Sequence, residues 1–208
     1  MGSPPHRRSS GTGFLEPEVW PWRNPSGTAP IATAGTSSST LGPHSYDLTD
    51  LRAGSAQLGP IEAGELSAIE GKRIVHLQCH FGADSLRLAQ RGAQVVGLDF
   101  SSRAIEVARS LADEFGLAGR AQFVEADLYD AVRAIPAPHG FDIAFVTWGA
   151  ICWLPDIAQW AQIVASLLRS GGSLYLADEH PAAYVFDDTA GYPDGMPGLF
   201  APYFRMIR

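Results

Sequence analysis

The stretch that decides the fold is residues 73–101, RIVHLQCHFGADSLRLAQRGAQVVGLDFS. It opens with the apolar run Arg73–Gln78, which predicts a strand, and continues with a helical pattern over Asp84–Arg91. Gly92 ends that helix, and Gln94–Leu98 reads as a second apolar strand. A strand, a helix and another strand in close succession indicate a βαβ unit, in which the two strands are parallel and the crossover is right-handed.

The same alternation extends on both sides of this unit. The further predicted elements are helix Glu62–Ile69 ending at Gly71, helix Ser102–Phe115, strand Ala121–Glu125, helix Tyr129–Ile135, strand Phe141–Thr147, helix Asp156–Leu168 capped by Gly171-Gly172, and strand Ser173–Ala177. Five apolar strands separated by helices predict an α/β domain in which helices cover both faces of a parallel sheet.

Composition excludes several classes of protein. With 46% hydrophobic residues the chain is able to bury a core, and the formal charge of −7 argues against a general nucleic-acid binder. Two cysteines exclude a disulfide scaffold and favour a reducing compartment, hence a cytoplasmic protein. No run approaches the ~18 apolar residues that a membrane span needs, so no membrane partner is expected.

The two ends of the chain differ in composition from the central α/β segment. Residues 1–45 are rich in Ser, Thr, Gly and Pro, which predicts a disordered N-terminal segment before a domain over residues 46–180. Residues 181–208 contain Pro181, Pro193, Pro197 and Pro202, and no strand pair is evident there, so an irregular C-terminal tail is expected.

Ligands of open parallel sheets bind beyond the carboxyl ends of the strands. The first strand runs into a loop with Gly82, and the second ends at Asp99, the position of the usual acceptor for two ribose hydroxyls. The third ends near Asp127, the fourth leads into an apolar loop with Trp148 and Trp153, and His180 follows the fifth. These junctions predict a site for a nucleoside beside an apolar floor.

Five segments together resemble a known family. They read HLQCHFGADSLRLA, GAQVVGLDFSSRAIEVAR, FVEADLYDA, GAICWLPDIAQWA and LLRSGGSLYLADEHP. In this order they resemble the Rossmann-like methyltransferases that depend on S-adenosylmethionine, in particular a bacterial subgroup whose first loop reads LQCHFG. The resemblance covers about two-thirds of the chain. It implies a sheet in the order 3-2-1-4-5, S-adenosylmethionine as cofactor, and transfer of a methyl group to a small-molecule acceptor.

The resemblance also implies where the cofactor and the acceptor bind. The residues implied for the cofactor are His76, Gln78, His80, Gly82, Asp99, Phe100, Ala126, Asp127 and Thr147, and those for the acceptor are Trp148 and Trp153. His180 is the candidate general base for an acceptor that loses a proton.

The chain departs from the family pattern in two places. His76 stands where the first loop usually has an acidic residue, and Gln78 and His80 replace the first two glycines, so that only Gly82 remains. Methyltransferases of this type also continue into a helix and an antiparallel hairpin. No such pattern follows the fifth strand, which predicts a missing hairpin and weak self-association through the open sheet edge.

Several residues keep a second interpretation. Asp127 suits the N-cap of a helix as well as contact with adenine. His76 suits a buried core histidine, and the two tryptophans suit packing as well as acceptor contact. No metal is expected, because His76 and Cys79 alternate to opposite faces of a strand and no second ligand group sits at zinc spacing.

Two other functions stay open on the sequence alone. An NAD-dependent oxidoreductase shares the sheet and the ribose acid, but G-x-G-x-x-G is absent and the crowded first loop suits a pyrophosphate poorly. A non-catalytic or truncated remnant would keep the nucleotide fold without activity.

Overall fold

The computed structural model describes residues 48–55, 57–178 and 180, together with the backbone of residues 186–187 and 198–199. The disorder predicted for residues 1–45 lies outside these residues. In chain order the elements are α1 (Thr49–Arg52), α2 (Pro60–Glu65), β1 (Arg73–Leu77), α3 (Ala83–Gln90), β2 (Gln94–Asp99), α4 (Ser102–Glu114), β3 (Ala121–Glu125), a 3₁₀ turn (Leu128–Asp130), α5 (Ala131–Ala134), β4 (Phe141–Thr147), a second 3₁₀ turn (Ile151–Trp153), α6 (Ile157–Leu167), β5 (Leu168–Ala177), β6 (Phe186–Asp187) and β7 (Gly198–Leu199).

The five long strands form one parallel sheet in the order β3-β2-β1-β4-β5, which confirms the predicted topology. Because β1 lies between β2 and β4, the strand order reverses there, and the loop after β1 opens into the crevice that this reversal creates. Residues in register across the central strands share a face, as His76 of β1, Phe145 of β4 and Tyr175 of β5 do.

The hydrophobic core has two layers, one on each face of the sheet. On one face, buried residues of α1, α3 and α4, such as Leu51, Leu86 and Ile105, pack against the sheet. On the other face α6 contributes Trp160 and Leu167, which are buried at the spacing of a helical stripe. Helices therefore cover both faces, as predicted.

Two predicted helices differ from the observed ones. The helix predicted over Glu62–Ile69 ends at Glu65, and Leu66 and Ile69 are buried in the irregular segment that follows. Their spacing of three mimics a helix, although tertiary packing rather than helical periodicity buries them. The helix predicted over Tyr129–Ile135 divides into the first 3₁₀ turn and the short α5.

The prediction that Gly171-Gly172 caps α6 is wrong, because both glycines lie inside β5, which begins at Leu168. The pairing of β4 with β5 shifts register between Phe141 and Ile143. A Cβ on Gly172 would lie 2.8 Å from the carbonyl oxygen of Phe141, so the two backbones approach more closely than another residue allows. A glycine in a strand often marks such a close approach.

The sheet ends at β5 on one side, and no antiparallel strand joins it among the described residues. The expectation that the tail after Glu179 holds no strand pair is wrong, because β6 pairs antiparallel with β7 in a separate ladder. The rest of the tail lies outside the described residues. On β5, Leu174 and Leu176 point to one face and are 39% and 43% exposed.

Candidate functional site

A cavity of about 480 Å³ opens at the carboxyl ends of the strands. Its volume suits a drug-sized ligand, since such pockets span ~300–1,000 Å³. All of the predicted site residues except Ala126 and His180 line it, namely His76, Gln78, His80, Gly82, Asp99, Phe100, Asp127, Thr147, Trp148 and Trp153. Ala126 is half-buried and His180 is exposed, and neither lines the cavity.

The loop after β1 has an unusual backbone. Gln78, His80 and Gly82 adopt φ values of 58°, 51° and 78°. These alternate positions are the ones at which the family pattern expects glycine. The left-handed region costs an ordinary residue ~1–2 kcal/mol and costs glycine nothing. The loop thus has a backbone that favours glycine at all three positions, although two of them carry side chains.

Gly82 is constrained by packing as well as by its φ. A Cβ at this position would lie 2.5 Å from the Phe123 ring and 3.1 Å from the Cβ of Ala108. Gly82 is also the N-cap residue of α3. The absence of a side chain lets the loop sit against β3 and α4 at the edge of the cavity.

The Asp99 carboxylate holds two loops together. Its Oδ2 accepts a hydrogen bond from the backbone N–H of His80 over 2.8 Å, and its Oδ1 accepts one from Ser101 over 2.9 Å. Asp99 is only 8% exposed, yet it lines the cavity. A carboxylate offers about four lone-pair sites, so two backbone donors leave capacity for a ligand.

His76 is a buried, neutral residue of β1. Its Nδ1 lies 2.8 Å from Oγ of Ser85, and its ring meets that of Phe145 edge-on. Burial lowers the pKa of His76 to about 4, with the nearby Asp84 opposing the shift. Both interpretations of this residue hold in part, because it is a satisfied buried histidine and also lines the cavity.

The other titratable groups of the loop also favour their neutral forms. Burial raises the pKa of the Cys79 thiol well above its usual value, and the Asp99 charge acts in the same direction. Burial lowers the pKa of His80, against the opposing effect of Asp99. No group of three or more His, Cys, Asp or Glu suited to a metal ion occurs among the described residues.

At the end of β3, Asp127 caps the 3₁₀ turn. Its Oδ1 accepts a hydrogen bond from the Tyr129 N–H over 2.8 Å. The capping interpretation is therefore observed, and Asp127 lines the cavity as well. Ala126 contributes through its backbone, because its N–H donates to the carbonyl oxygen of Asp99 over 3.0 Å.

The loop after β4 is tied down from two sides. Nε1–H of Trp148 donates to Oε1 of Glu62 over 2.6 Å. The Asp178 carboxylate at the end of β5 accepts from the N–H groups of Gly149 over 2.6 Å and of Ile151 over 3.3 Å. These bonds hold the apolar aromatic wall formed by Trp148 and Trp153.

Gln78 connects the first loop to this aromatic loop. Its Nε2 donates to the carbonyl oxygen of Ala150 over 2.8 Å. Its Oε1 is buried and accepts no hydrogen bond from a described residue. An orphaned buried acceptor is costly, ~1–3 kcal/mol, unless a ligand or a water satisfies it.

The methyltransferase domain family matches residues 74–172, the segment that contains every strand end of the cavity up to β4. A ubiquinone biosynthesis O-methyltransferase of Stutzerimonas stutzeri is 31% identical over 57% of this chain and 50% of its own length. The methyltransferase GfsG of Streptomyces halstedii is 30% identical over 76% of this chain and 48% of its own. The chain thus spans about half the length of the curated relatives it matches.

A solved structure described as a candidate S-adenosylmethionine-dependent methyltransferase from Methanococcus maripaludis has the same fold. It superimposes with a TM-score of 0.50 at 24% identity, covering 57% of this chain and 53% of that one. The fold is thus shared with Rossmann-like methyltransferases, and residues 74–172 of this chain match the methyltransferase domain family.

The residues that line the cavity suit the chemistry of S-adenosylmethionine. Asp99 offers acceptors for hydroxyl groups, Phe100 and Leu128 offer apolar surface, and Gln78 holds an acceptor without a donor. The volume and the mixture of apolar walls with a few polar groups are typical of a nucleoside-sized site.

Sequence reasoning missed four polar residues that line the cavity or support its walls. Asp84 and Arg87 line the cavity from α3, while Glu62 and Asp178 hold the aromatic loop. A signal existed for Asp84, since a carboxylate in the first turn of a helix that follows a ligand loop lies near the ligand. None existed for Glu62, whose partner is 86 residues away in sequence.

Proposed function

We propose that this chain binds S-adenosylmethionine in the cavity and transfers the methyl group to a small-molecule acceptor. The observation that carries the proposal is the Asp99 carboxylate in the cavity wall. It stands at the end of β2, where parallel sheets place the acid that accepts from ribose hydroxyls. Its two backbone donors fix its orientation before a ligand arrives.

The neighbouring residues extend this donor site. Phe100 and Leu128 offer an apolar surface for a base, with the Asp127 carboxylate at its rim. We assign Ala126 an indirect part, since it does not line the cavity and its N–H donates to the carbonyl oxygen of Asp99. His76, Gln78, His80 and Gly82 line the cavity from β1 and the loop after it, and Thr147 lines it from β4.

S-adenosylmethionine supplies a methyl group on a sulfonium sulfur, which an acceptor atom takes by direct displacement. The protein's part in such a reaction is to hold two reactants in line. Trp148 and Trp153 border the cavity as an apolar wall, which would exclude water from the reacting groups. This position is the reason for proposing them as acceptor contacts.

A proton acceptor is needed only when the acceptor atom carries a proton that leaves. His180 follows β5 and is the candidate from the sequence, although it does not line the cavity. A His180→Gln variant tests its role. Loss of turnover with unchanged donor binding would support His180 as the base, and unchanged turnover would exclude His180 from that role.

A small molecule is the proposed class of acceptor. The net charge of −7 disfavours nucleic acid, and the relatives that match more than half of this chain act, by name, in ubiquinone biosynthesis or are plain methyltransferases. A match to an rRNA methyltransferase covers 60 residues and only 14% of that protein. Within the described residues no helix is both long and apolar enough to cross a bilayer. We propose a cytoplasmic protein because the chain has only two cysteines, which favours a reducing compartment.

Weak self-association through β5 is part of the proposal. The strand ends the described sheet, and its exposed Leu174 and Leu176 add apolar surface beside backbone groups that pair with no other described strand. Sedimentation velocity of the chain and of Leu176→Lys tests this, with Ser173→Lys on the opposite face as the matched control. A monomer at all concentrations would contradict it.

Calorimetric titration of the full chain with S-adenosylhomocysteine and, separately, with NAD tests the donor assignment. Binding of the first and not of the second is expected, because the first loop carries side chains where a pyrophosphate requires bare backbone. Preferential binding of NAD, or binding of neither, would overturn the proposal. Mass spectrometry of a metabolite mixture after incubation with S-adenosylmethionine would then identify the acceptor.

A further inference from the structure

The charged side chains that line the cavity differ in how many hydrogen bonds they already make within the protein. Three carboxylates, those of Asp84, Asp99 and Asp127, and one guanidinium, that of Arg87, line it. Both oxygens of Asp99 already accept from backbone N–H groups, and Asp127 caps the turn after β3. Both of these carboxylates lie at the ends of β2 and β3, whereas Asp84 lies in the first turn of α3, beside the loop that follows β1.

Arg87 neutralises Asp84 only in part. Its Nε donates to Oδ2 of Asp50 over 2.7 Å and its Nη2 to Oδ1 over 2.9 Å, a two-pronged pair with α1. Toward Asp84 it makes one bond, from Nη1 to Oδ1 over 3.0 Å. Two carboxylates share one guanidinium, so the group retains a net negative charge.

Asp84 is the member of this group that is available to a ligand. Its side chain is 39% exposed, against 16% for Asp50. Oδ2 of Asp84 accepts no hydrogen bond from a described residue, and the residue lines the cavity. The surplus charge therefore faces the cavity rather than the interface between α1 and α3.

The strand residue beside Asp84 supplies no charge of its own. His76 is buried, neutral and bonded to Ser85. Its pKa of about 4 leaves it uncharged at neutral pH, and the Asp84 charge is the effect that opposes this shift. At this end of the described cavity Asp84 is consequently the carboxylate that a cationic group would meet.

We propose that Asp84 binds the α-ammonium group of the methyl donor and selects ligands that carry the amino-acid end. The inference rests on the proposed donor site: with the ribose at Asp99, Asp84 is the carboxylate of the same cavity that keeps an oxygen available to an ammonium group.

The experiment compares two ligands that differ in the ammonium group. S-adenosylhomocysteine carries the amino acid, whereas 5′-methylthioadenosine has the same nucleoside and a thioether without it. The full chain, Asp84→Asn and Asp130→Asn are titrated calorimetrically with each. Asp130→Asn is the matched control, since it removes a carboxylate that also pairs with an arginine three residues later and lies outside the cavity.

For Asp84→Asn we expect S-adenosylhomocysteine to bind roughly 10- to 100-fold more weakly, as expected for a lost charge-assisted hydrogen bond, and methylthioadenosine to bind as before. Asp130→Asn should change neither affinity. Asp84→Glu, which restores the charge, should recover much of the preference for the amino-acid ligand, and thermal unfolding of each variant verifies that it is folded.

Three outcomes would overturn the inference. Unchanged binding of S-adenosylhomocysteine to Asp84→Asn would remove Asp84 from the site. Equal weakening of both ligands would assign it a structural role only. If the unaltered chain bound neither ligand, the proposed function would fail and this inference with it, whereas the first two outcomes leave the donor assignment intact.

Discussion

Trp148 and Glu62 are joined by a hydrogen bond of 2.6 Å from the indole Nε1 to Oε1, which ties the loop after β4 to α2. Glu62 is 4% exposed and Trp148 is 48% exposed, so a buried carboxylate anchors an aromatic ring at the surface. The other oxygen of Glu62 has no hydrogen-bond partner among the described residues. Trp148 also adopts a φ of 46°, and the bond offsets part of the strain of that conformation.

Removal of the indole donor should therefore destabilise the protein. Trp148→Phe keeps an aromatic ring and leaves the buried carboxylate without its donor, which should lower the free energy of unfolding by about 2 kcal/mol. In a Glu62→Gln background the same substitution should cost less than half as much, since no buried charge is left unpaired. Urea unfolding of the four proteins measures the coupling.

Trp153→Phe is the control for this cycle. Trp153 is 52% exposed, and the change should stay within about 0.5 kcal/mol. An equal cost of Trp148→Phe in both backgrounds would show that the bond to Glu62 contributes nothing.

Asp99→Ala should weaken binding of S-adenosylhomocysteine by about 2–4 kcal/mol. Two hydroxyl hydrogen bonds to a carboxylate would be lost, each worth ~1.5–3 kcal/mol, with some compensation by water. Calorimetry at a temperature where the variant is folded measures the change. The variant should also unfold at a lower temperature, because His80 and Ser101 lose the acceptor of their backbone N–H groups.

Glu125→Ala is the matched control for Asp99. Glu125 ends the neighbouring strand β3, is exposed, and accepts from the hydroxyl of Ser102 outside the cavity. It should leave ligand affinity unchanged. If both variants lost affinity equally, or if folded Asp99→Ala bound as well as the unaltered chain, Asp99 would have no place in the donor site.

The stability of the protein should depend on pH through His76. Its folded pKa of about 4 lies below the unfolded value of 6.5, so its contribution is complete above pH 6.5 and is lost as the pH falls toward 4. Between pH 7.5 and pH 5 the free energy of unfolding should fall by about 2 kcal/mol from this group alone. His76→Asn, which retains a polar partner for Ser85, should lack this component. Urea unfolding at both pH values compares the two proteins, and identical pH dependences would exclude His76 as the cause.

The strands of this fold were predictable because their sequence pattern is local. Ala121–Glu125 and Phe141–Thr147 are apolar runs between turn residues, and their observed bounds match the predicted ones. The start of β5 was not predictable, because Gly171-Gly172 looks like a helix cap until β4 is seen to approach it, whereas its end at Ala177 matches the prediction. Gly172 is needed because two strands approach closely, and the neighbouring sequence gives no sign of that contact.

The residues of the candidate site likewise fall into those that local sequence predicts and those that it does not. Asp99 follows from the rule that strand ends bind ligands, and it does lie in the cavity wall. Glu62 and Asp178 could not be found, because each acts on the loop after β4 through a contact made only in the folded chain. His180 illustrates the converse, since its position after a strand predicted a place in the site, whereas it does not line the cavity.

The backbone conformation of His80, in the loop after β1, leads to a further testable prediction. His80 has a φ of 51°, where a side chain is strained and glycine is not. His80→Gly and His80→Ala both remove the imidazole, so its contacts cancel when the two variants are compared with each other. The glycine variant should be more stable than the alanine variant by about 1 kcal/mol, because relief of the left-handed strain exceeds the entropy that glycine loses on folding.

Ala53 provides the opposite case. It is exposed with a φ of −78°, so Ala53→Gly should lower stability by ~0.5–1 kcal/mol. Glycine should thus give the more stable protein at position 80, and alanine the more stable protein at position 53. Urea unfolding of the three variants and the unaltered chain measures both differences in the free energy of unfolding. If alanine were the more stable residue at both positions, the loop would not have the left-handed turn at His80.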